Sequence, residues 1–316
     1  MSETVVESTS FGNSTVFVKG STSFNKYFSV DSGKWERTSG SSGGPYIVLI
    51  DPTTGLPNKV IDRKIRVSST PYLFSISEGE VPNHSSWKRL GHNPLVINVE
   101  EDIWPIGGKY VFPTTPMQME IVSSSGLDHA TGSGIRTVRV GYLDGDYVSH
   151  TETIQLSGST VVPTVATNIY RVNNIRAVTV GSLGKSGGQI DVRHLSDTPI
   201  YRSMEASHTR GHSLIYTVPS GSTVYITGIN MSTSATAAGH YAVFTLRANW
   251  DDAIDQKVNF MQGIFQLGLQ DQALHIELSS PIKILPTCDL VMSVLGDASN
   301  SNLNIFSSVR GWIESE

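Results

Sequence analysis

The amino-acid sequence predicts an all-β protein, and three observations lead to this prediction. Helical periodicity is nearly absent, whereas short apolar or alternating segments recur about every 8–12 residues between turn signals. Charged residues make up only 16% of the 316-residue chain. Ser, Thr, Gly and Asn take their place, and these residues are typical of turns and exposed strands.

Composition divides the chain into four regions. Residues 1–90 are rich in Ser and Gly, and we expect an extended N-terminal arm or subdomain there. Residues 91–195 and 213–316 have dense strand patterns and predict two β-sandwich domains of jelly-roll-like type. Residues 196–212 are polar and are expected to link these domains. Residues 251–274 are expected to be mostly β, with a short helix as the alternative.

The clearest local pattern is a β-hairpin in the middle of the chain. Residues 136–140 alternate between polar and apolar side chains, as a strand with one wet face does. Asp144-Gly145 follows as a strong turn signal, and residues 152–156 alternate again. The pattern predicts consecutive antiparallel strands and requires no substrate.

Charge, cysteine content and hydropathy exclude several classes of protein. The net charge is −5 and no basic cluster occurs in the sequence, so we expect no direct binding to nucleic acid. The one cysteine, Cys288, cannot form an intrachain disulfide and is expected to be a buried or half-buried thiol. Neither a secretory signal nor an 18-residue apolar segment is visible, so we expect synthesis in a cytoplasm and no membrane span.

Two glycine-rich motifs resemble catalytic loops. Residues 181–186 read Gly-Ser-Leu-Gly-Lys-Ser, like the end of a phosphate-binding loop, but Thr179 replaces the required glycine and a strand pattern follows. We predict a hairpin loop. Residues 40–44 match the G-x-S-x-G pattern but lie in a Ser/Gly-rich segment before Pro45, which predicts a flexible loop.

Two sets of residues are candidate metal ligands. His208 and His212 lie four residues apart, but their segment does not look helical and no partner carboxylate is obvious, so we expect a polar loop pair. Asp128, Asp144 and Asp146 suggest calcium, but the required six to eight oxygens cannot be assembled from the sequence. We therefore predict no catalytic, cofactor-binding or metal-binding residues, and no cofactor.

Several motifs occur in a characteristic order along the middle of the chain. They are Val81–Ser85, Gly91–Pro94, Glu101–Trp104, Ile121–Ser125, Gly132–Val140, Glu152–Thr160, Tyr170–Val172 and Ser186–Ile190. This order resembles a family of virion structural proteins encoded by tailed bacteriophages, many of them marine. The resemblance is best over residues 80–195 and weaker over residues 213–316.

The resemblance implies a non-enzymatic component of a virus particle, made in the host cytoplasm. We expect a homo-oligomer whose partners are other copies of itself and other capsid or tail proteins. We expect a capsid-associated decoration protein. The alternatives are a major capsid protein of double jelly-roll type, and a tail or fibre component that binds a host receptor or glycan. A polysaccharide-degrading enzyme of the particle would need two carboxylates facing a cleft, and the sequence gives no support for it.

Overall fold

A computed structural model of the chain describes residues 72–234, 240–251, 254, 256–270, 273–298 and 302–316, and four short strands before them. The chain divides into two compact units, residues 1–69 and residues 70–316. In the first unit, the described strands pair as two antiparallel two-stranded sheets, β1–β2 and β3–β4. Their bounds are β1 Thr9–Phe11, β2 Ser14–Val16, β3 Lys26–Ser29 and β4 Lys34–Arg37. The motif at residues 40–44 lies outside the described residues.

The second unit is almost entirely β, which confirms the predicted all-β class. Its described residues form one short helix and sixteen strands, and the strands pair antiparallel. Among the described residues, no helix has the length and apolarity to cross a membrane. The elements are α1 Tyr72–Ser77, β5 His84–Val96, β6 Glu101–Asp102, β7 Met119–Ser123, β8 Ile135–Leu143, β9 Ser149–Gln155, β10 Val162–Pro163, β11 Arg171–Val180, β12 Ile190–His194, β13 Ile200–Met204, β14 Ile215–Thr217, β15 Ser222–Ser234, β16 Tyr241–Asp251, β17 Gln256–Gln270, β18 Ala273–Ile284, β19 Asp289–Gly296 and β20 Leu303–Ser315.

Two sheets form what we call the central lobe. Their strand orders are β10-β7-β12-β13 and β11-β8-β9. Apolar side chains from both sheets share one hydrophobic core, which includes the fully buried Ile121, Val140, Ile175 and Ile190. The predicted hairpin is confirmed as β8–β9. In its turn, the Asp144 carboxylate accepts hydrogen bonds from backbone N–H groups two and four residues later, as turn-forming Asp residues do.

Two further sheets form the terminal lobe. Their orders are β14-β19-β16-β17, with β6 beside β19, and β18-β15-β20-β5. Val224, Ile229, Phe244 and Met292 belong to the core that these sheets share. Strand β5 precedes the central lobe in the chain but pairs along most of its length with β20. The terminal lobe therefore combines segments from before and after the central lobe.

Three segments that the sequence singled out are placed as follows. Strand β5 spans residue 90, where the N-terminal region was expected to end, and β13 lies inside the expected linker at 196–212. The positions of domain boundaries stay a prediction. Residues 251–274 are mostly β, as expected, and their described part contains the long strand β17 rather than a helix. Its pairing with β16 has two register shifts, and such bulges disturb the alternation that normally marks a strand.

Candidate functional site

The two lobes are joined by a buried ion pair between Arg171 of β11 and Asp289 of β19. Arg171 Nε and Nη2 donate to the two carboxylate oxygens at 2.9 and 3.1 Å. Thr217 Oγ1 donates to the same carboxylate at 2.5 Å, and Asn249 Oδ1 accepts from the backbone N–H of Asp289 at 2.6 Å. Burial acts against the charge of Arg171, but the hydrogen bonds and attraction of Asp289 outweigh it and raise the pKa of Arg171. The junction is thus held by specific polar contacts.

Beside this junction lies a cavity of about 360 Å³, between β5 and the β11-β8-β9 sheet. Six of its lining residues are basic, and the others are uncharged. We call it the basic cavity. Its basic residues are Lys88, Arg89, Arg139, Arg176, Arg202 and Arg210.

Strand register brings three of these arginines side by side. Arg176 of β11 lies directly opposite Arg139 of β8, and it also forms an isolated antiparallel bridge with Arg210. The segment that carries Arg210 is held to β11 by a 2.9 Å hydrogen bond from Gly211 N to Ile175 O. Directly opposed residues on antiparallel strands share a face of the sheet, and like charges in this arrangement are destabilising.

Arg202 of β13 is the most deeply buried basic residue of the cavity, with 2% of its surface exposed. Its Nη1 donates to Ile215 O at 3.0 Å and its Nη2 donates to Asn173 O. Its Nε is buried and has no hydrogen-bond partner, and no carboxylate pairs with it, within the part of the chain that the structure describes. Burial, assisted by the charge of Arg89, lowers the pKa of Arg202 to about 10.

Arg89 of β5 faces aromatic rings. Its guanidinium carbon lies 4.2 Å from the ring centroid of Tyr216 and 5.8 Å from that of Trp87. Its Nε is also buried without a hydrogen-bond partner among the described residues. A cation over an aromatic face is favourable, so the rings stabilise this charge without neutralising it.

A cluster of histidine and glutamate residues flanks Arg210, one of the residues of the basic cavity, in the sequence. Ligand atoms of Glu205, His208 and His212 all lie within 4.8 Å of one another. The buried Ser186 shapes the turn: its Oγ donates to Glu205 O at 2.9 Å and accepts from His208 N at 3.2 Å. The histidine pair predicted from the sequence is therefore brought together, and a carboxylate joins it.

His92 of β5 is the fourth member of this cluster. Its Nδ1 lies 2.8 and 2.9 Å from the two Glu205 carboxylate oxygens, and its Nε2 lies 2.8 Å from Asn304 Oδ1. Its ring also stacks on Phe306, with 4.2 Å between centroids. Because both nitrogens face acceptors, the imidazolium form is favoured. Burial alone would lower the pKa of His92, but the contacts with Glu205 and Asn304 outweigh it and raise that pKa.

Glu205 and His212 are the other two members of the cluster whose pKa values are shifted by their neighbours. Burial opposes the charge of Glu205, but its hydrogen bond with His92 outweighs burial and lowers the pKa of Glu205. Burial and the neighbouring His208 lower the pKa of His212. The surroundings therefore shift the pKa values of His92 and His212 in opposite directions.

Glu205, His208 and His212 supply a carboxylate and two imidazoles, which is a donor set used by zinc. Ligand atoms around tetrahedral zinc lie only about 3.3 Å apart, given zinc–nitrogen bonds of about 2.0–2.1 Å. Both oxygens of Glu205 already lie at hydrogen-bond distance from His92.

The sequence analysis did not identify Glu205 as a member of this cluster. Its signal is nevertheless visible in the sequence, because Glu205 lies three residues before His208 and seven before His212.

Asp128, a candidate calcium ligand, is a completely buried structural carboxylate. Its two oxygens accept hydrogen bonds from Ser123 Oγ and from the backbone N–H groups of Ile135, Gly187 and Gly188, at 2.6–3.0 Å. These four donors tie three loop segments together, and the carboxylate is fully engaged by them.

The remaining candidates also have structural environments. Residues 181–186 lie in the loop between β11 and β12, and no helix follows them. The predicted hairpin is wrong, because β11 and β12 belong to different sheets and the loop passes from one sheet to the other. Asp144 pairs with His150 at 2.8 Å within its own turn. Cys288 is buried, as expected, and burial raises the pKa of its thiol to about 11.

Comparisons with known proteins found no matching family model and no significantly similar curated protein. Solved structures with some likeness include a structure of infectious bursal disease virus, Gt strain (10% identity, 78% of each chain covered, TM-score 0.21). Another is the VP2 subviral particle of infectious bursal disease virus (9% identity, 77% of each chain covered, TM-score 0.19). These TM-scores are too low to indicate a shared fold.

Proposed function

We propose that the chain is a non-enzymatic structural protein of a virus particle, made in the host cytoplasm and attached to the capsid as a decoration protein. Its partners are other copies of itself and other virion proteins. The ordered resemblance over residues 80–195 supports this proposal. In the structure, that segment forms most of the central lobe and strand β5 of the terminal lobe.

We also propose that the lobes are sandwich domains of jelly-roll type. The terminal lobe supports this: its successive strands β14, β15 and β16 alternate between the two sheets, as do β17, β18 and β19. Repeated crossing between two packed antiparallel sheets is typical of jelly rolls and Greek-key sandwiches. Such domains present loops and strand edges to neighbours in an assembly.

One observation carries the assembly role, an apolar groove on the β18-β15-β20-β5 sheet. It has a volume of about 410 Å³, and its lining includes Leu90, Met231, Leu274 and Phe306. Half of the Phe306 surface is exposed (51%), and Leu90 and Leu274 are also exposed. Contiguous exposed apolar surface marks contact sites. We propose another copy of the chain as the occupant.

The edge strand β18 strengthens this argument. It carries Leu274 into the groove and is one edge of its sheet over twelve residues. An edge strand offers free backbone groups to a neighbouring chain. The apolar groove and the edge strand β18 belong to the same sheet, so one interface can combine apolar contacts with backbone hydrogen bonds. The symmetry of an oligomer repeats both kinds of contact.

The solution mass of the purified chain tests this proposal, measured by light scattering with size separation. We expect a discrete oligomer for the natural chain and a monomer for Leu274→Asp, because the substitution places a charge in the groove. Val165→Asp is the matched control, since Val165 is 86% exposed and lies in the central lobe away from the groove. A monomeric natural chain at micromolar concentration, or an oligomer unaffected by Leu274→Asp, would contradict the proposed contact.

Two alternative placements predict different behaviour. A major capsid protein of double jelly-roll type would assemble by itself into large closed particles. A tail or fibre component would bind host cells or glycans. Either result would replace decoration as the placement within the particle.

A further inference from the structure

We propose that the basic cavity binds a compact oxyanion, phosphate or sulfate, either free or as the charged group of a small ligand. The proposal is independent of the position of the protein in a particle. It rests on the arrangement of charge around the cavity, on buried arginines without a carboxylate partner and on the space available.

The arrangement of charge is unfavourable without a counter-ion. Arg139, Arg176 and Arg210 lie side by side across adjacent strand segments, and Lys88 and Arg89 line the cavity from β5. No carboxylate lines the cavity, and none of these five basic residues forms an ion pair within the described part of the chain. Because the chain as a whole has a net charge of −5, this local concentration of positive charge is not a consequence of composition.

Two buried arginines add positive charge at the cavity. Arg202 is 2% exposed, and two backbone carbonyls hold its terminal nitrogens while its buried Nε has no partner among the described residues. Arg89 likewise has a buried Nε without a partner there. No carboxylate lines the cavity to balance these two charges. A bound oxyanion supplies the missing negative charge, and the guanidinium groups that line the cavity match its geometry.

Gly141 contributes to the space beside the arginines. It lies on β8 two residues after Arg139, and a Cβ atom at this position would come within 2.4 Å of Asn174 Nδ2. A side chain would therefore displace Asn174, which lines the cavity. The cavity of about 360 Å³ is large enough for a phosphate and part of an attached small group.

Isothermal titration calorimetry at low ionic strength tests the proposal with four probes: inorganic phosphate, inorganic sulfate, glucose 6-phosphate and chloride. We expect saturable binding of one oxyanion per chain, which chloride at equal ionic strength does not reproduce. The variant Arg139→Gln/Arg176→Gln is expected to weaken this binding at least tenfold. Both arginines are at least partly exposed, and circular dichroism establishes that the variant is folded.

Lys185→Gln is the control, because this exposed lysine lies in the β11–β12 loop and does not line the cavity. It should bind the oxyanion like the natural chain. A second readout is the melting temperature: phosphate should raise it for the natural chain and not for the double variant. Absence of saturable binding, an equal effect of chloride, or unchanged affinity in the double variant would each overturn the proposal. Tighter binding of glucose 6-phosphate than of both inorganic ions would identify a phosphorylated ligand, and equal binding a free ion.

Discussion

Arg171 and Asp289 form a two-point ion pair across the lobe junction, and their side chains are only 7% and 8% exposed. The strands that carry them belong to different lobes and lie more than a hundred residues apart in the chain. Thr217 Oγ1 donates a third hydrogen bond to the same carboxylate. The polar contacts at this junction make it sensitive to the loss of either charge.

Replacing Arg171 with Met should strongly destabilise the chain. The free energy of unfolding is expected to fall by about 3–5 kcal/mol, because the Asp289 carboxylate would stay buried without its partner. Urea denaturation followed by tryptophan fluorescence measures the change. Asp197→Asn is the control: Asp197 pairs with Arg193 but is 75% exposed, and its loss should cost at most about 1 kcal/mol. Similar costs for the two variants would contradict a stabilising role for the buried pair.

Asp128→Asn should be nearly as damaging as the loss of Arg171. An amide nitrogen cannot accept the hydrogen bonds that one carboxylate oxygen receives, so backbone donors would be left unpaired at a cost of about 3–5 kcal/mol. The same denaturation experiment applies, with the exposed Asp146→Asn as a control that should change stability by no more than about 0.5 kcal/mol. If Asp128→Asn lowers the free energy of unfolding no more than Asp146→Asn does, the four hydrogen bonds do not organise the loops.

His92→Gln should have an effect on stability that depends on pH. The folded pKa of His92 is raised above its ordinary value of 6.5, so its contribution is fully present below pH 6.5 and is lost as pH rises through the folded pKa. The folded pKa of Glu205 is lowered from 4.5, so its contribution is present above pH 4.5 and is lost as pH falls through the folded pKa. The pair is therefore most stabilising between these two values.

We expect His92→Gln to cost about 1.5 kcal/mol more at pH 5.5 than at pH 8.5, the size of one hydrogen bond to a charged group. Unfolding free energies at both pH values measure this difference. His129→Gln, outside the cluster, supplies the comparison. An equal cost at both pH values would show that the charge of His92 does not stabilise the fold, whereas a larger cost at pH 8.5 would reverse the assigned sign.

Cys288 should react with thiol reagents only when the chain unfolds. Its side chain is fully buried and its thiol pKa is raised to about 11, so at pH 8 only about one thiol in a thousand would be ionised even if it were accessible. Labelling by a disulfide reagent, followed by absorbance, should be very slow in buffer and complete in denaturant. Rapid labelling of the folded chain would contradict the burial of Cys288, which lies directly before β19.

Local patterns predicted local structure well. Asp144-Gly145 between alternating segments predicted the β8–β9 hairpin, since turn type and alternation are encoded by neighbouring residues. The Asp251–Leu274 segment was ambiguous because register shifts in the β16–β17 pair disturb alternation. Pairing of β5 with β20 joins residues more than two hundred positions apart, and no local pattern reports such a partner.

The basic cavity was hidden for the same reason. Its six basic residues come from five separate segments of the chain, so the absence of a basic cluster in the sequence did not exclude a basic site. Register alone places Arg139, Arg176 and Arg210 together. Part of the histidine–glutamate cluster could be predicted from the sequence, because Glu205, His208 and His212 are close in the chain. His92 could not, because it lies on the distant strand β5.

Co-sedimentation of the purified chain with empty capsids of the virus that encodes it tests the central claim most directly. Solution mass is measured in parallel without capsids. A decoration protein should remain a small, discrete oligomer in solution and should pellet only when capsids are present, in a fixed ratio to the shell. A chain that stays in the supernatant at saturating capsid concentration would contradict the proposed capsid-associated role.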